Sequence, residues 1–540
     1  MKANRSALLL ALAAAFPPLS ALAHDEARTS VSGGKLGKVL FQTTCTPEAQ
    51  KQFERALAML HSFHFPETVK AFTAIPQTDP DCAIAYWGMA ISQRPNPLVG
   101  PWDAATLKRG LDTVQKGESI GAKSQRERDW LAAIKVFYAD YESVDQDTRT
   151  HKYERAMDAL AKKYPDDVEA KIFHALALNE IFDHKSMEPL MRAVAILEPL
   201  DRKYPDHPGI THYIIHSYDF APIAQKGLPA ADKYARIAPA APHAQHMPSH
   251  IYSMVGKWNE SIKSNERSVE VSNAYAAESK MDGVLAGVPH SYDFMQYAYL
   301  QLGQDAKAKA MVDRSAQVKK VIGPVSAGNT ARAAVPARYM LERQDWKGAA
   351  DLPVLNLPFP AADAITYFAR AMGKARSGNP SGAQADIDKM MALREGLLKA
   401  NQGYWAEQVE VQIIAARAWQ AQARGDAEEG FKLMAAAANL EDSTAKHVAM
   451  ENRLYPMREL FGDMLMLQGQ PGAALAAYQD SMKAAPERLR GYYGAAKAAQ
   501  AMGDKAQADA YFRKLAYLTR NADGTRAELQ ETKMRVAGRA

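Results

Sequence analysis

The stretch Gly469-Gln470-Pro471-Gly472-Ala473-Ala474-Leu475-Ala476-Ala477-Tyr478 is echoed 34 residues later. There the chain reads Gly503-Asp504-Lys505-Ala506-Gln507-Ala508-Asp509-Ala510-Tyr511-Phe512. Glycine, alanine and an aromatic ring recur in register, and Pro486 follows the first copy where a helix pair should end. Small residues allow two helices to cross closely, and the aromatic fills the groove between them. Proline stops the second helix because it has no N–H and clashes with the preceding turn. Between the turns, apolar residues recur at three- and four-residue spacing, as in Val409, Ile413, Ala416 and Trp419, which is a helical period. Alternating β-branched runs are absent. The reading is all-α.

This is the period and pattern of a tetratricopeptide repeat. It predicts a TPR-like α-solenoid, antiparallel helix pairs stacked into a right-handed superhelix. Weaker copies lie upstream. Phe72 precedes Pro80, Tyr86-Trp87-Gly88 opens another helix, and Gly256-Lys257-Trp258 is a turn. Gly303, Gly378 and Gly425 mark further turns, with Ala308 and Ala383 five residues beyond the first two.

The 540-residue chain is long enough for such an array. Its 47% hydrophobic and 24% charged residues are globular proportions. Net charge is +5, and basic residues are scattered, which argues against a nucleic-acid partner. Lys2 and Arg5, the Ser6–Ala15 apolar run and Ala21-Leu22-Ala23 form an export signal, with cleavage expected after Ala23. The run is too short to span a membrane, and Pro17-Pro18 interrupts it. A periplasmic or secreted location follows as an expectation. In that compartment the two cysteines, Cys45 and Cys82, are most simply a disulfide.

The expected organisation is a signal peptide at 1–23, a flexible lead-in at 24–40 and helical repeats at 41–322. A Pro/Gly-rich connection with short helices at 323–360 leads to C-terminal repeats at 361–520. A capping helix or tail fills 521–540.

Seven of the 14 histidines fall between His207 and His290. Residues four apart share a helix face, so His212/His216 and His246/His250 each present two imidazoles. The tetrapeptide His-Ser-Tyr-Asp occurs at His216–Asp219 and again at His290–Asp293. Helices should start near Pro208 and Pro242, with Pro248 bending the second. All three His-bearing segments read as first helices, which line the concave groove.

Three readings are open at this point. In one, His212, His216, His246, His250 and His290 bind zinc, copper, nickel or iron, with Asp219 and Asp293 as ligands or as acceptors behind them. In another, protonated imidazoles bind an acidic ligand or do acid/base work. In the third, the histidines hold helices together. His207, His243, Tyr218, Tyr292 and His61 line the groove or support the site. Neither an HExxH nor a GxSxG motif is present, so no catalytic residue is assigned. A binding protein with a protein or peptide partner in its groove is favoured over a metal-binding protein or metal-dependent enzyme built on the His212/His216/His246/His250/His290 cluster.

The chain resembles a family of exported bacterial tetratricopeptide-repeat proteins without an established activity. The residues that carry the likeness include Phe41-x3-Cys45, Leu60-His61-Ser62-Phe63, Asp79-Pro80-Asp81-Cys82-x3-Tyr86-Trp87-Gly88 and Arg126-Glu127-Arg128. The most specific are Pro205–Asp219 and Tyr234–Trp258, with His246-Met247-Pro248-Ser249-His250-Ile251 inside the latter. Leu440-Glu441-Asp442 and Arg458-Glu459-Leu460 also match, whereas Gln93–Pro101 departs from the more aromatic or His-bearing loop of related chains. The resemblance implies fold and compartment and no reaction.

Overall fold

The computed structural model describes residues 33–323 and 325–537. The expected signal peptide and the first part of the lead-in lie outside them. The protein is an all-α, TPR-like solenoid. Antiparallel helix pairs follow one another from Pro47–His61 with Phe65–Thr78 to Leu489–Ala501 with Lys505–Leu518, and Ala527–Ala537 closes the array. One short parallel ladder, Val284–Leu285 with Val321–Ile322, interrupts the helical pattern. No helix among the described residues is long and apolar enough to cross a membrane.

The repeat that reveals the fold works as its residue types require. Gly469 and Gly503 take φ of +70° and +82° at the turns, a left-handed conformation that suits glycine. The helix Pro471–Ala484 ends just before Pro486. Tyr478 fills the space between the helices on either side of its own. A Cβ on Gly494 would stand 2.3 Å from the Tyr478 ring, and one on Gly462 would stand 2.7 Å away. The ring is buried, and its hydroxyl donates to Asp463 Oδ1 at 2.7 Å.

Two segments differ from the sequence expectation. Residues 33–40 of the lead-in are not loose. Leu36 is buried, Lys38 N–H donates to the Asp206 carbonyl at 3.1 Å, and Leu40 N–H donates to Glu169 Oε1 at 2.7 Å. Glycine content alone misled there, because the partners lie far along the chain. The connection at 323–360 holds a full first helix, Val325–Glu342, with Pro336 inside it. Its Ala331, Ala333, Ala334 and Ala337 are buried. Alanine is the strongest helix former, and its small side chain suits close helix crossings. The composition that suggested a break therefore builds a close-packed element.

The superhelix curls tightly enough to bring distant repeats together. Tyr275 donates to Glu67 Oε1 at 2.7 Å, and Trp258 Nε1 donates to the Glu487 carbonyl at 2.9 Å. The N-terminal pairs are knitted by aromatic rings: Phe41 lies 5.6 Å from Trp87, and Trp87 lies 4.9 Å from Trp130, centroid to centroid. Burying each such side chain contributes about 1.5–3 kcal/mol.

Cys45 and Cys82 are bonded across 37 residues. Closing a loop of that length stabilises by about 4 kcal/mol in the chain-entropy model. The double variant Cys45→Ser/Cys82→Ser should lose that amount in chemical denaturation followed by Trp fluorescence. The unfolded, unreduced chain should titrate no thiol; two reactive thiols would dismiss the bond.

Candidate metal centre

The histidines are carried by three successive first helices. Pro208–Tyr218 starts at the expected proline, with the His207 side chain accepting from Ile210 N–H at 3.3 Å as its cap. Pro248 divides the next element. Pro242–His246 ends at Met247, and Pro248–Met254 begins again at once. His246 and His250 nevertheless remain one turn apart on one face. Gly287–Gln301 carries His290 in its first turn.

These helices bring six imidazoles into two adjacent triads. His212, His216 and His243 form one, and His246, His250 and His290 form the other. Within each triad, one nitrogen from each ring lies within 4.8 Å of the others. The triads adjoin: His216 is 6.2 Å from His250, and His243 is 6.1 Å from His246, between ring centroids. Neither triad contains a carboxylate or a thiolate.

The hydrogen bonds behind the rings set their tautomers. His212 Nδ1–H donates at 2.6 Å to the His61 carbonyl, left free where the helix Pro47–His61 ends. Gly209 lets that approach happen, since a Cβ there would stand 2.3 Å from His61 Nδ1. His246 Nδ1–H donates to Asn265 Oδ1 at 2.7 Å, and Asn265 Nδ2 donates to the Ser261 carbonyl, which fixes the amide. His250 Nδ1–H donates to Asp219 Oδ2 at 2.7 Å. Lys446 Nζ reaches the same oxygen at 2.6 Å. Burial pushes the Asp219 carboxyl up to about 6 and Lys446 opposes it.

The outcome at the front of the rings is unusual. His246 Nε2 and His250 Nε2 face each other at 3.0 Å, although both Nδ1–H groups are already committed to oxygen acceptors. His212 Nε2 lies 3.2 Å from His243 Nε2. Both ring nitrogens of His216, and Nδ1 of His290, are buried without a hydrogen-bond partner. Burial holds the imidazoles neutral: it pulls His212, His216, His243, His250 and His290 well below 6.5, and His246 to about 4. Between His246 and His250 two nitrogen lone pairs therefore converge with no proton between them. Two nitrogens about 2.0–2.1 Å from one tetrahedral ion stand roughly 3.3–3.4 Å apart, close to the spacings seen.

The two copies of His-Ser-Tyr-Asp sit at opposite ends of their helices. His216 is in a last turn, so Asp219 caps the helix and reaches the next pair's His250. His290 is in a first turn, so Asp293 lies further into its helix, where it forms a buried ion pair with Arg338 of the helix Val325–Glu342. The expectation that Asp293 serves the His cluster is thereby corrected.

His61 and His207 do not join the triads. Their Nε2 atoms hold Glu169 between them, at 2.9 and 3.0 Å, and His61 supports His212 through its carbonyl. Tyr218 turns away to Glu198, and Tyr292 packs half-buried in the apolar cluster around Trp258. His243, expected only as a groove residue, completes the first triad. Asn265 and Lys446 carried no local signal, since one lies on a second helix and the other in a loop more than two hundred residues from Asp219.

That loop, 443–456, packs against the histidine helices: Lys446 reaches Asp219, and Val448 and Ala449 line the same cavity as His216 and His250. Its Glu451 is fully buried, neither carboxyl oxygen has a hydrogen-bond partner, and Arg338 Nη2 is 4.0 Å away. Burial raises this acid from 4.5 to about 8. A raised acid contributes stability that is complete below the unfolded value and lost as pH climbs towards the folded one, at about 1.4 kcal/mol per unit. Glu451→Gln should therefore stabilise the protein at pH 8 and change little at pH 4.5. Denaturation midpoints at the two pH values check this.

In front of the triads lies a largely apolar cavity of about 450 Å3. Phe63, Phe65, Trp102, Leu285 and Ile322 line it, and the 93–102 segment forms one wall.

No family model matches the chain, and no curated protein matches it. Among solved structures it is similar to the human IFIT1 dimer with m7Gppp-AAAA, at 11% identity and a TM-score of 0.40. That match covers 81% of this chain and 90% of the other. It is also similar to yeast Tom70, at 10% identity and a TM-score of 0.34, over 91% of this chain and 96% of the other. The Cut9–Hcn1 assembly of the APC/C gives 9% identity and a TM-score of 0.27, over 90% and 96%.

Proposed function

We propose that this helical-repeat scaffold is a metalloprotein that holds one transition-metal ion in each histidine triad. The observation that carries the reading is the pair of bare Nε2 atoms of His246 and His250, 3.0 Å apart with their Nδ1–H groups spent elsewhere. Without a cation between them, two buried lone pairs repel. Neutral imidazole suits zinc, copper, nickel or iron. Three protein nitrogens per ion leave a fourth position open, the pattern of a catalytic rather than a structural site. The open positions would face the apolar cavity, which suits a small apolar molecule as reactant. Export to the periplasm, expected from the N-terminal sequence, agrees with the Cys45–Cys82 bond.

Elemental analysis of the untagged protein, purified without chelator, should find two ions per chain. A chain that stays empty after these ions are supplied and dialysed away would end the proposal. Asp219→Ala and Asn265→Ala remove the acceptors that orient His250 and His246. Each should weaken metal binding roughly 10- to 100-fold, as read by competition with a chromophoric chelator.

The partner-binding reading rests on a different surface. Leu467, Met502, Tyr517 and Met534, near the C-terminal end, are more than half exposed. A protein or peptide partner would dock there. Leu467→Glu/Tyr517→Glu should abolish such binding without changing metal content.

A further inference from the structure

The six ligating rings bring no charge of their own. The charged side chain hydrogen-bonded to them among the described residues is Asp219, and its carboxylate is balanced by the Lys446 ammonium. All six rings are buried or nearly so. Two dications would bring four uncompensated positive charges into this interior, whereas two monocations would bring two. Burying unpaired charge is costly, so the site favours ions that can be singly charged. Copper meets that condition, and as a divalent ion it also leads the first-row affinity order at nitrogen sites. Copper(I), with a filled d shell, accepts three imidazoles without a further ligand.

We propose that the paired triads hold two copper ions that together bind dioxygen, an inference that rests on the metal reading above. Two copper(I) ions each give up one electron, and dioxygen takes both to become peroxide bound to two copper(II) ions. The O–O bond order falls from two to one, no proton is taken up, and no other reductant is needed. The charge of the centre stays at +2 throughout, so the buried site meets no new electrostatic cost.

The adjacency of the triads supports this. His216 with His250, and His243 with His246, bridge the two sets of ligands side by side. Both open positions would look into one cavity of about 450 Å3 walled by Phe63, Phe65 and Trp102. A largely apolar antechamber admits dioxygen readily. No free cysteine is present among the described residues to be oxidised by it.

The test uses the full mature chain, stripped with chelator and loaded anaerobically with copper(I). Two coppers per chain should bind. On admitting air, one dioxygen should be taken up per two coppers. Peroxide-to-copper(II) charge-transfer absorption should grow in, and the coupled copper(II) pair should give little paramagnetic resonance signal. His216→Gln and His250→Gln should each halve the bound copper and lose this stoichiometric uptake. Two bound coppers without dioxygen uptake would overturn this inference and leave the metal reading intact. Retention of zinc against equimolar copper would overturn the copper assignment alone. A chain that binds no ion would overturn both.

Discussion

Stripped of its metal, the chain should lose about 8 kcal/mol of stability, roughly 4 kcal/mol for each ion held at a thousandfold excess over its dissociation constant. The loss has a local cause as well as a mass-action one. In the empty chain the nitrogens of His216 and Nδ1 of His290 stay buried without partners, and an unsatisfied buried polar group costs about 1–3 kcal/mol. The lone pairs of His246 and His250 would still face each other at 3.0 Å. Denaturant unfolding with and without chelator measures the total, and hydrogen exchange over residues 208–254 should place the loosening there. The variant His216→Gln/His250→Gln should show no response to chelator. Superimposable wild-type curves, with and without chelator, would sink the prediction.

How far the sequence could be read depended on the distance between partners. Gly469, Ala474, Tyr478 and Pro486 interact within one repeat unit, so their spacing alone reveals the helix pair. His212 with His216, and His246 with His250, are one turn apart and equally readable. Joining them into two triads is a tertiary event. It needs His243 carried across from the start of a neighbouring element and His290 from the next pair, and no periodicity encodes that. The repeated tetrapeptide misled for the same reason, because its meaning depends on whether it closes a helix, as at Asp219, or opens one, as at Asp293. Asn265 and Lys446, which hold Asp219 and the rings in place, come from a second helix and a distant loop. The order in 33–40 was equally hidden, since Asp206 and Glu169 supply its hydrogen bonds.

Arg488→Met should cost about 3–5 kcal/mol, the range for breaking a buried ion pair by removing one partner. Arg488 is fully buried at the cap of Leu489–Ala501, where it donates to both oxygens of Glu459, to Glu342 Oε1 and to Tyr297 Oη, all at 2.6–2.8 Å. Methionine preserves much of the stem's volume, so the loss reports charge rather than packing. It would leave two carboxylates facing each other out of water. Burial already pushes the Glu459 carboxyl up, and Arg488 draws it down. Adding Glu342→Gln and Glu459→Gln to Arg488→Met should recover most of the stability, because the unpaired charges then disappear. Urea midpoints of the single and triple variants test this, and a neutral Arg488→Met would show that the network contributes no charge pairing. Tyr297 lies on the helix that carries His290. The single variant should therefore also weaken metal retention in the second triad more than in the first, since among the described residues no hydrogen bond ties Arg488 to the helices of His212, His216 or His243.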